Sequence, residues 1–307
     1  MPFVRKVRRQ PNNPLLPSNR LTANERRVIQ TYLDAFRNVR GSTINRETFA
    51  LIMEQVAAGN PLSAASIVPW GRFAQDLQPF VDVMTSQVVI SANQSLASLP
   101  SRLKIDYTFN LTDPRAIAWA QTRAGKSILG ISEESRQAVA RIISDGLKSK
   151  LDMEQMASRI ESIVGLDQRQ AKSLDRFYAE NLERLMDEGD TFAEATQEVR
   201  ERIKPLYDRM IRYRGTRIAR TEMVAAANQG RVLSWFELET QGLMPPESQR
   251  IWITALDERT CPVCAPKHRM TTAWDTEFEF DSPPIHPHCR CSIELLPGKP
   301  SARIAAA

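Results

Sequence analysis

Residues 261–291, CPVCAPKHRMTTAWDTEFEFDSPPIHPHCRC, hold all four cysteines and all three histidines of the 307-residue chain. Cys261 and Cys264 form a C-x-x-C pair, with Pro262 restricting the turn between them; His286 and Cys289 form H-x-x-C, and Cys289 and Cys291 form C-x-C. Two tight turns of this kind, about twenty residues apart, let thiolates and an imidazole converge on one four-coordinate ion. The spacing therefore predicts a structural zinc site. The preferred ligands are Cys261, Cys264, His286 and Cys289, with Cys291 as the main replacement for one of them. His288 is the weaker histidine of HPHC, and His268, between Lys267 and Arg269, is expected to face solvent.

Other chemistries fit the window less well. No secretory signal begins the chain, so a reducing compartment is expected, where disulfides are scarce. A catalytic zinc keeps an open position and a nearby general base. Here thiolates dominate, and Glu277, Glu279 and Asp281 read as part of a polar hairpin. Nothing singles out one thiol as an activated nucleophile. No phosphate-cradling glycine loop or acid/base pair stands elsewhere, and the sixteen residues after Cys291 offer no room for a further catalytic domain. The expectation is a protein that is not an enzyme.

The elements that must position this window are mostly helical. Val28, Ile29, Tyr32, Leu33 and Phe36 mark one amphipathic helix, and Phe49, Ile52, Met53 and Val56 a second. Prolines 61, 69 and 79 punctuate the next stretch, before a helix from about Asp82 towards Leu99 that Pro100 ends. Leu103, Ile105, Tyr107 and Phe109 alternate, which predicts a short strand. Ser132 is the expected N-cap of a helix burying Val139, Ile142 and Ile143. Met153, Met156, Ile160 and Ile163 mark another, and Thr191 with Glu194 forms a capping box opening a helix through Val199 and Ile203. An alanine-rich helix with Ile218, Val232, Trp235 and Leu238 as core contacts ends at Pro245 and Pro246, and RIWITALDERTC then reads as a strand.

The expected fold class is therefore mainly α with a small C-terminal α+β module: a helical N-terminal region followed by a zinc-stapled hairpin module. The expected division is a basic arm over 1–21, a helical region over 22–129, a second helical part over 130–245, the Cys/His module over 246–297, and a flexible tail over 298–307.

Charge is uneven. The first forty residues hold nine Lys and Arg against Glu25 and Asp34, a balance of +7, while the whole chain carries only +5. Eight more Lys and Arg lie between Arg200 and Arg220, with Tyr207 and Tyr213 among them. Such stretches bind phosphates and stack on bases when they are not simply solvated. The candidate contacts to double-stranded DNA are Arg5, Lys6, Arg8, Arg9, Arg209, Arg212 and Arg214. No apolar run is long enough to span a membrane.

Three motifs in order, RIARTEMVAAANQGR, WITALDERTCPVC and PPIHPHCRC, resemble the C-terminal domain of phage Mu F-like minor head proteins, the phage head morphogenesis family. The resemblance spans roughly residues 130 to 297, with specific motifs from Arg217 to Cys291. It departs after C-x-x-C, where the family commonly has an aspartate-glycine turn and this chain has APKHRM.

The resemblance implies a low-copy virion protein of a tailed phage. It would be made in the host cytoplasm and placed inside the head or at the portal vertex. Its partners would be the portal protein, with coat or scaffold protein and DNA as further candidates, and its role would be in head assembly and in packaging or delivery of DNA. A DNA-binding protein and a nuclease-like effector are the alternatives. Within ARTE, the expectation is that an Arg220–Glu222 pair ties the helix to the cysteine module.

Overall fold

The structure, a computed structural model, describes residues 22–43, 75–148 and 153–299, together with 50–51, 54–55, 58, 60–67 and 71. The basic arm with Arg5, Lys6, Arg8 and Arg9, and the helix expected around Phe49, Ile52, Met53 and Val56, lie outside the described residues.

Seven helices can be followed among the described residues: α1 (Ala23–Thr43), α2 (Pro61–Ser66), α3 (Gln78–Ala97), α4 (Pro114–Lys148), α5 (Met153–Ile163), α6 (Gln168–Asp187) and α7 (Phe192–Thr240). Three short strands follow, β1 (Gln249–Ile253), β2 (Thr271–Ala273) and β3 (Ser292–Leu296), forming one antiparallel sheet in the order β2-β1-β3. The mainly α chain with a small C-terminal α+β module is thus what the structure shows.

By contacts the chain forms two compact units that do not follow its linear order. Among the described residues, one takes 22–26, 81–122 and 217–299; the other takes those within 27–80 and 123–216. The expected boundary near residue 245 is therefore not a division in space: the Cys/His segment shares a core with the second half of α7 and with residues 81–122.

In the unit built from 27–80 and 123–216, Tyr32 and Phe36 of α1 are 1% exposed and in edge-to-face contact at 4.6 Å. Val139, Ile142, Ile143, Met156 and Ile160 are buried, as their helical spacing predicts. Asp167 caps α6 by accepting from the Gln170 N–H at 2.9 Å, and Thr191 and Glu194 cap α7 reciprocally, with the Thr191 N–H donating to Glu194 at 3.0 Å. A bidentate Arg159–Asp175 pair, both side chains 11% exposed, ties α5 to α6.

Two local expectations are overturned. Ser132 is no N-cap, because α4 runs unbroken from Pro114 through it. The helix starts instead at Asp113, whose carboxylate accepts from the N–H groups of Arg115 and Ala116 at 2.9 and 3.2 Å, with Pro114 in the first position where its missing N–H costs nothing. The alternating stretch 103–109 is no strand either. A short 3-10 turn over Ser101–Leu103 leads into an extended segment with Leu103 and Phe109 buried. Its ladder partner is a side chain: Asn93 Oδ1 accepts the Phe109 N–H at 2.8 Å and Nδ2 donates to the Phe109 carbonyl at 3.0 Å. The period-2 pattern reports one-sided burial, which an extended chain can meet without a sheet.

In the other unit α3 and α7 meet at small residues, with Ser234 Oγ, whose hydrogen goes to the Arg231 carbonyl, accepting from Ser95 Oγ at 2.7 Å. Their shared core takes in Val88, Ala92, Leu96, Leu233, Trp235 and Leu238, and continues through Trp252 into Cys264, Cys289 and Cys291.

Candidate metal centre

Strand β1 alternates, so Arg250 and Trp252 point inward. Trp252 is fully buried and meets the rings of Phe278 and Phe280, each at 5.6 Å. Arg250 sends Nε and Nη2 to the Trp274 carbonyl at 2.8 and 2.6 Å and Nη1 to Glu277 at 3.1 Å. Residues 274–282 therefore fold as turns around β1. The expected polar hairpin is absent there, and its Glu277 neutralises a buried arginine.

The pairing of β1 with β3 aligns Ile253 with Ser292. That register brings Thr254, where the first cysteine arm departs, beside Cys291, where the second arrives; the Cys291 thiol lies 3.7 Å from Thr254 Oγ1. In the first arm the Cys264 N–H donates to Cys261 Sγ at 3.3 Å, and Thr254 Oγ1 donates to the Cys264 carbonyl at 3.2 Å. APKHRM then forms a 3-10 turn over Ala265–Lys267 and rejoins the sheet, with Arg269 and Met270 bonded to the backbone of Trp252 at 2.8 and 2.9 Å. In the second arm the Cys289 N–H closes a turn on the His286 carbonyl at 3.1 Å.

These arms bring the expected ligands together. Cys261 Sγ and Cys264 Sγ lie 3.1 and 3.0 Å from His286 Nε2, and Cys264 Sγ lies 4.0 Å from Cys289 Sγ. Tetrahedral zinc with bonds of about 2.0 to 2.3 Å separates its ligand atoms by about 3.5 to 3.8 Å, so these three separations lie within about half an ångström of such a site. The atoms form two groups, Cys261–Cys264–His286 and Cys264–Cys289–Cys291, each within 4.8 Å, and Cys264 is common to both. A cavity of about 30 Å³ lies among Cys261, Cys264, His286 and Cys291, room for one ion or water.

Tautomer and charge point the same way. His286 Nδ1 lies 2.8 Å from the Pro287 carbonyl, which only accepts, so Nδ1 carries the proton and Nε2 offers its lone pair to the cysteines. Burial, then the neighbouring Cys289, pushes the Cys264 thiol up to about 12. Its hydrogen bond with Cys291, then burial, pushes Cys289 higher still, while the same bond holds Cys291 below the ordinary thiol value. Two thiols that resist ionising in this core become thiolates when a cation supplies the opposing charge.

The remaining histidines stand apart from these two groups. His268 is partly buried, not solvent-facing as expected, and its Nδ1 accepts the Thr254 N–H at 3.2 Å. His288 has a left-handed backbone (φ 61°), and burial followed by the Arg220 and Arg217 charges lowers its pKa.

A bidentate Asp257–Arg290 pair joins the loop before Cys261 to the residue between Cys289 and Cys291. The Arg290 guanidinium holds the Asp257 carboxyl down at about 2. Neither residue was expected in the site, although both stand in the D-x-R-T-C and C-R-C motifs. The ARTE expectation is revised as well. Arg220 Nε lies 4.0 Å from Glu25, and Thr221 Oγ1, which accepts the His288 N–H at 3.1 Å, is one link from this motif to the cysteine segment.

Of the basic candidates, Arg209 and Arg212 are exposed on α7, next to Tyr213 at 55% exposure. Arg214 is withdrawn as a phosphate contact. It is fully buried, with Nη1 donating to the Gly165 carbonyl at 2.6 Å and to Ser135 Oγ at 3.0 Å, and Nη2 paired with Glu134 at 2.6 Å.

A long helix bonded through Thr221 and Asn228 to a thiol-rich Cys/His cluster defines the class: a helical protein with a cluster able to hold a metal ion at its C-terminal sheet. Residues 177–294 match the family described as Phage Mu protein F like protein, which is the family the three motifs resemble. No match was found among curated proteins or among solved structures. Among the described residues, no helix is long and apolar enough to cross a membrane.

Proposed function

We propose that the protein is a minor head component of a tailed phage. It acts at the portal vertex during head assembly, and a structural zinc ion held by Cys261, Cys264, His286 and Cys289 staples its C-terminal segment. The observation that carries the non-catalytic reading is burial. Cys264, Cys289 and Cys291 are 3%, 1% and 3% exposed and belong to the hydrophobic core, which supports a packing role for these three thiols. An ion there would fix the two arms to each other and to the sheet, adding the stability of its own binding to that of the fold. The family match over residues 177–294 supports the head location and association with other head proteins; the portal is the partner we assign.

The test is co-purification with the portal protein of the same phage, alongside metal analysis of the isolated chain. Capture by the portal and about one zinc per chain support the proposal. A zinc-free chain with no affinity for portal, coat or scaffold protein removes it.

A second role, contact with packaged DNA, is favoured by the placement of Arg209, Arg212 and Tyr213 at helical spacing on one exposed face of α7. Binding of duplex DNA that weakens steeply with salt supports it, and no binding at low salt removes it.

A further inference from the structure

Cysteine and histidine ligands in a small module are usually arranged by the metal itself. Here the second half-site is held by a different agent. Its backbone is bonded on both sides of the ligands to two side chains of α7, Thr221 and Asn228, which lie seven residues and about two turns apart on one helix face.

Thr221 Oγ1 has one hydrogen, donated to the Arg217 carbonyl at 2.8 Å, so towards the His288 N–H at 3.1 Å it acts as acceptor. That bond falls on the residue whose left-handed backbone aims His286 and Cys289 into the same site. Asn228, 3% exposed, uses both ends of its amide. Nδ2 donates to the carbonyls of Pro283 and Cys291 at 3.0 and 3.3 Å, and Oδ1 accepts the Ile293 N–H at 3.2 Å and Arg231 Nη1 at 2.9 Å. The anchored positions 283, 288, 291 and 293 bracket the ligands 286, 289 and 291. Every donor and acceptor in this set belongs to the protein.

We infer that Thr221 and Asn228 are positioning residues: α7 is a template that holds the second half-site in its ligand-bearing conformation before any metal arrives. The inference rests on the metal-site reading given under Proposed function, and it adds that metal affinity is set partly by two residues that never touch the ion. The family-type ARTE helix and the HPHCRC segment are, on this account, one site. Asn228 is specific in its chemistry. An aspartate of the same shape would turn two donors into a carboxylate facing two carbonyls, and a valine at 221 would fill the same space while leaving the His288 N–H without its acceptor.

The experiment compares the full chain with Thr221→Val, Asn228→Asp and Thr221→Ser. Zinc affinity is read by competition with a chromophoric chelator, the ligand set by the thiolate charge-transfer bands of cobalt, and backbone order by amide exchange on chelator-treated protein. Partners of metal ligands characteristically contribute about 10- to 100-fold in affinity, and a loss of that size is expected for Thr221→Val and Asn228→Asp, with unchanged cobalt bands for Thr221→Val and recovery in Thr221→Ser. In metal-free parent protein the His288 and Ile293 amides should exchange slowly; His288 should lose protection in Thr221→Val, and Ile293, whose oxygen acceptor remains in Asn228→Asp, should lose protection there because the carboxylate repels the Pro283 and Cys291 carbonyls. Affinities equal to the parent's, or equally fast exchange of these amides in parent and variants, overturn the inference. A parent that binds no metal sinks the metal-site reading instead, and the exchange arm alone then decides whether α7 is a template.

Discussion

Gly230 of α7 lies directly against Val88 of α3: a Cβ built on the glycine would sit 2.3 Å from the Val88 carbonyl oxygen and 2.8 Å from the Ala92 nitrogen. Both obstructing atoms are backbone, so relief requires the helices to part. Gly230→Ala, which in an open helix adds stability, should here cost about 1 to 3 kcal/mol or more. Gly125 of α4, with nothing within 4 Å of the same construction, is the control, and Gly125→Ala should gain up to about 1 kcal/mol. Thermal melts of the two variants check this, and equal shifts would show that the α3–α7 contact is looser than drawn.

Cys264 is common to both ligand groups, which predicts unequal effects of removing single cysteines. Cys264→Ser should abolish stoichiometric zinc. Cys291→Ser should retain it, with cobalt bands of three thiolates and one imidazole, because Cys289 completes the preferred set. Metal analysis with cobalt spectra reads both, and a Cys291→Ser protein without zinc would exchange the roles of the last two cysteines.

Arg209 and Arg214 separate nucleic-acid contact from folding. Arg209→Ala with Arg212→Ala should leave the melting temperature unchanged while reducing the salt slope of DNA binding by about two. Arg214→Met takes the guanidinium donor from the Gly165 carbonyl while the half-exposed Glu134 stays solvated, and leaving a buried acceptor unsatisfied in this way characteristically costs about 1 to 3 kcal/mol. A melting-neutral Arg214→Met would count against the buried network.

Asp113 supplies a pH dependence of defined sign. Burial pushes its carboxyl up, but bonds from Arg115 and the Ala116 N–H more than offset this and leave it below its ordinary value of 3.8. A depressed folded value means the stabilisation is fully present above 3.8 and is lost as pH falls through the lower folded value. Asp113→Asn keeps a capping side chain but loses the charge that Arg115 opposes, so it should melt earlier near neutral pH, and the difference should shrink in acid. A gap between parent and variant that widens on acidification would reverse the assignment.

These sites differ in how far they could be read from the chain alone. The clustering of Cys261, Cys264, His286 and Cys289 was legible because each arm is a single turn whose geometry is set by two or three residues. The Thr191–Glu194 cap and the buried stripe of α1 were legible for the same local reason. The Thr221–His288 bond joins residues 67 apart, and nothing in either stretch marks the other. Ser132 misled because a good capping residue is also tolerated inside a helix that started eighteen residues earlier. Residues 103–109 misled because Asn93 took the place of a neighbouring strand. Arg214 misled because a charge count cannot distinguish a solvated arginine from one that organises carbonyls in a core.

The interleaving of the two units has a consequence for how the chain is made. Val88, Ala92 and Leu96 leave the ribosome early, but the Trp235 and Trp252 they pack with lie about 150 residues later, behind a stretch that forms a unit of its own. At ordinary synthesis rates that face of α3 waits roughly 10 to 30 s for its partners. The delay makes this the interval in which chaperones protect the nascent chain or aggregation takes it. A fragment cut to residues 177–294, the span that matches the family, would lack α3 altogether and leave the Gly230–Ser234 surface of α7 bare.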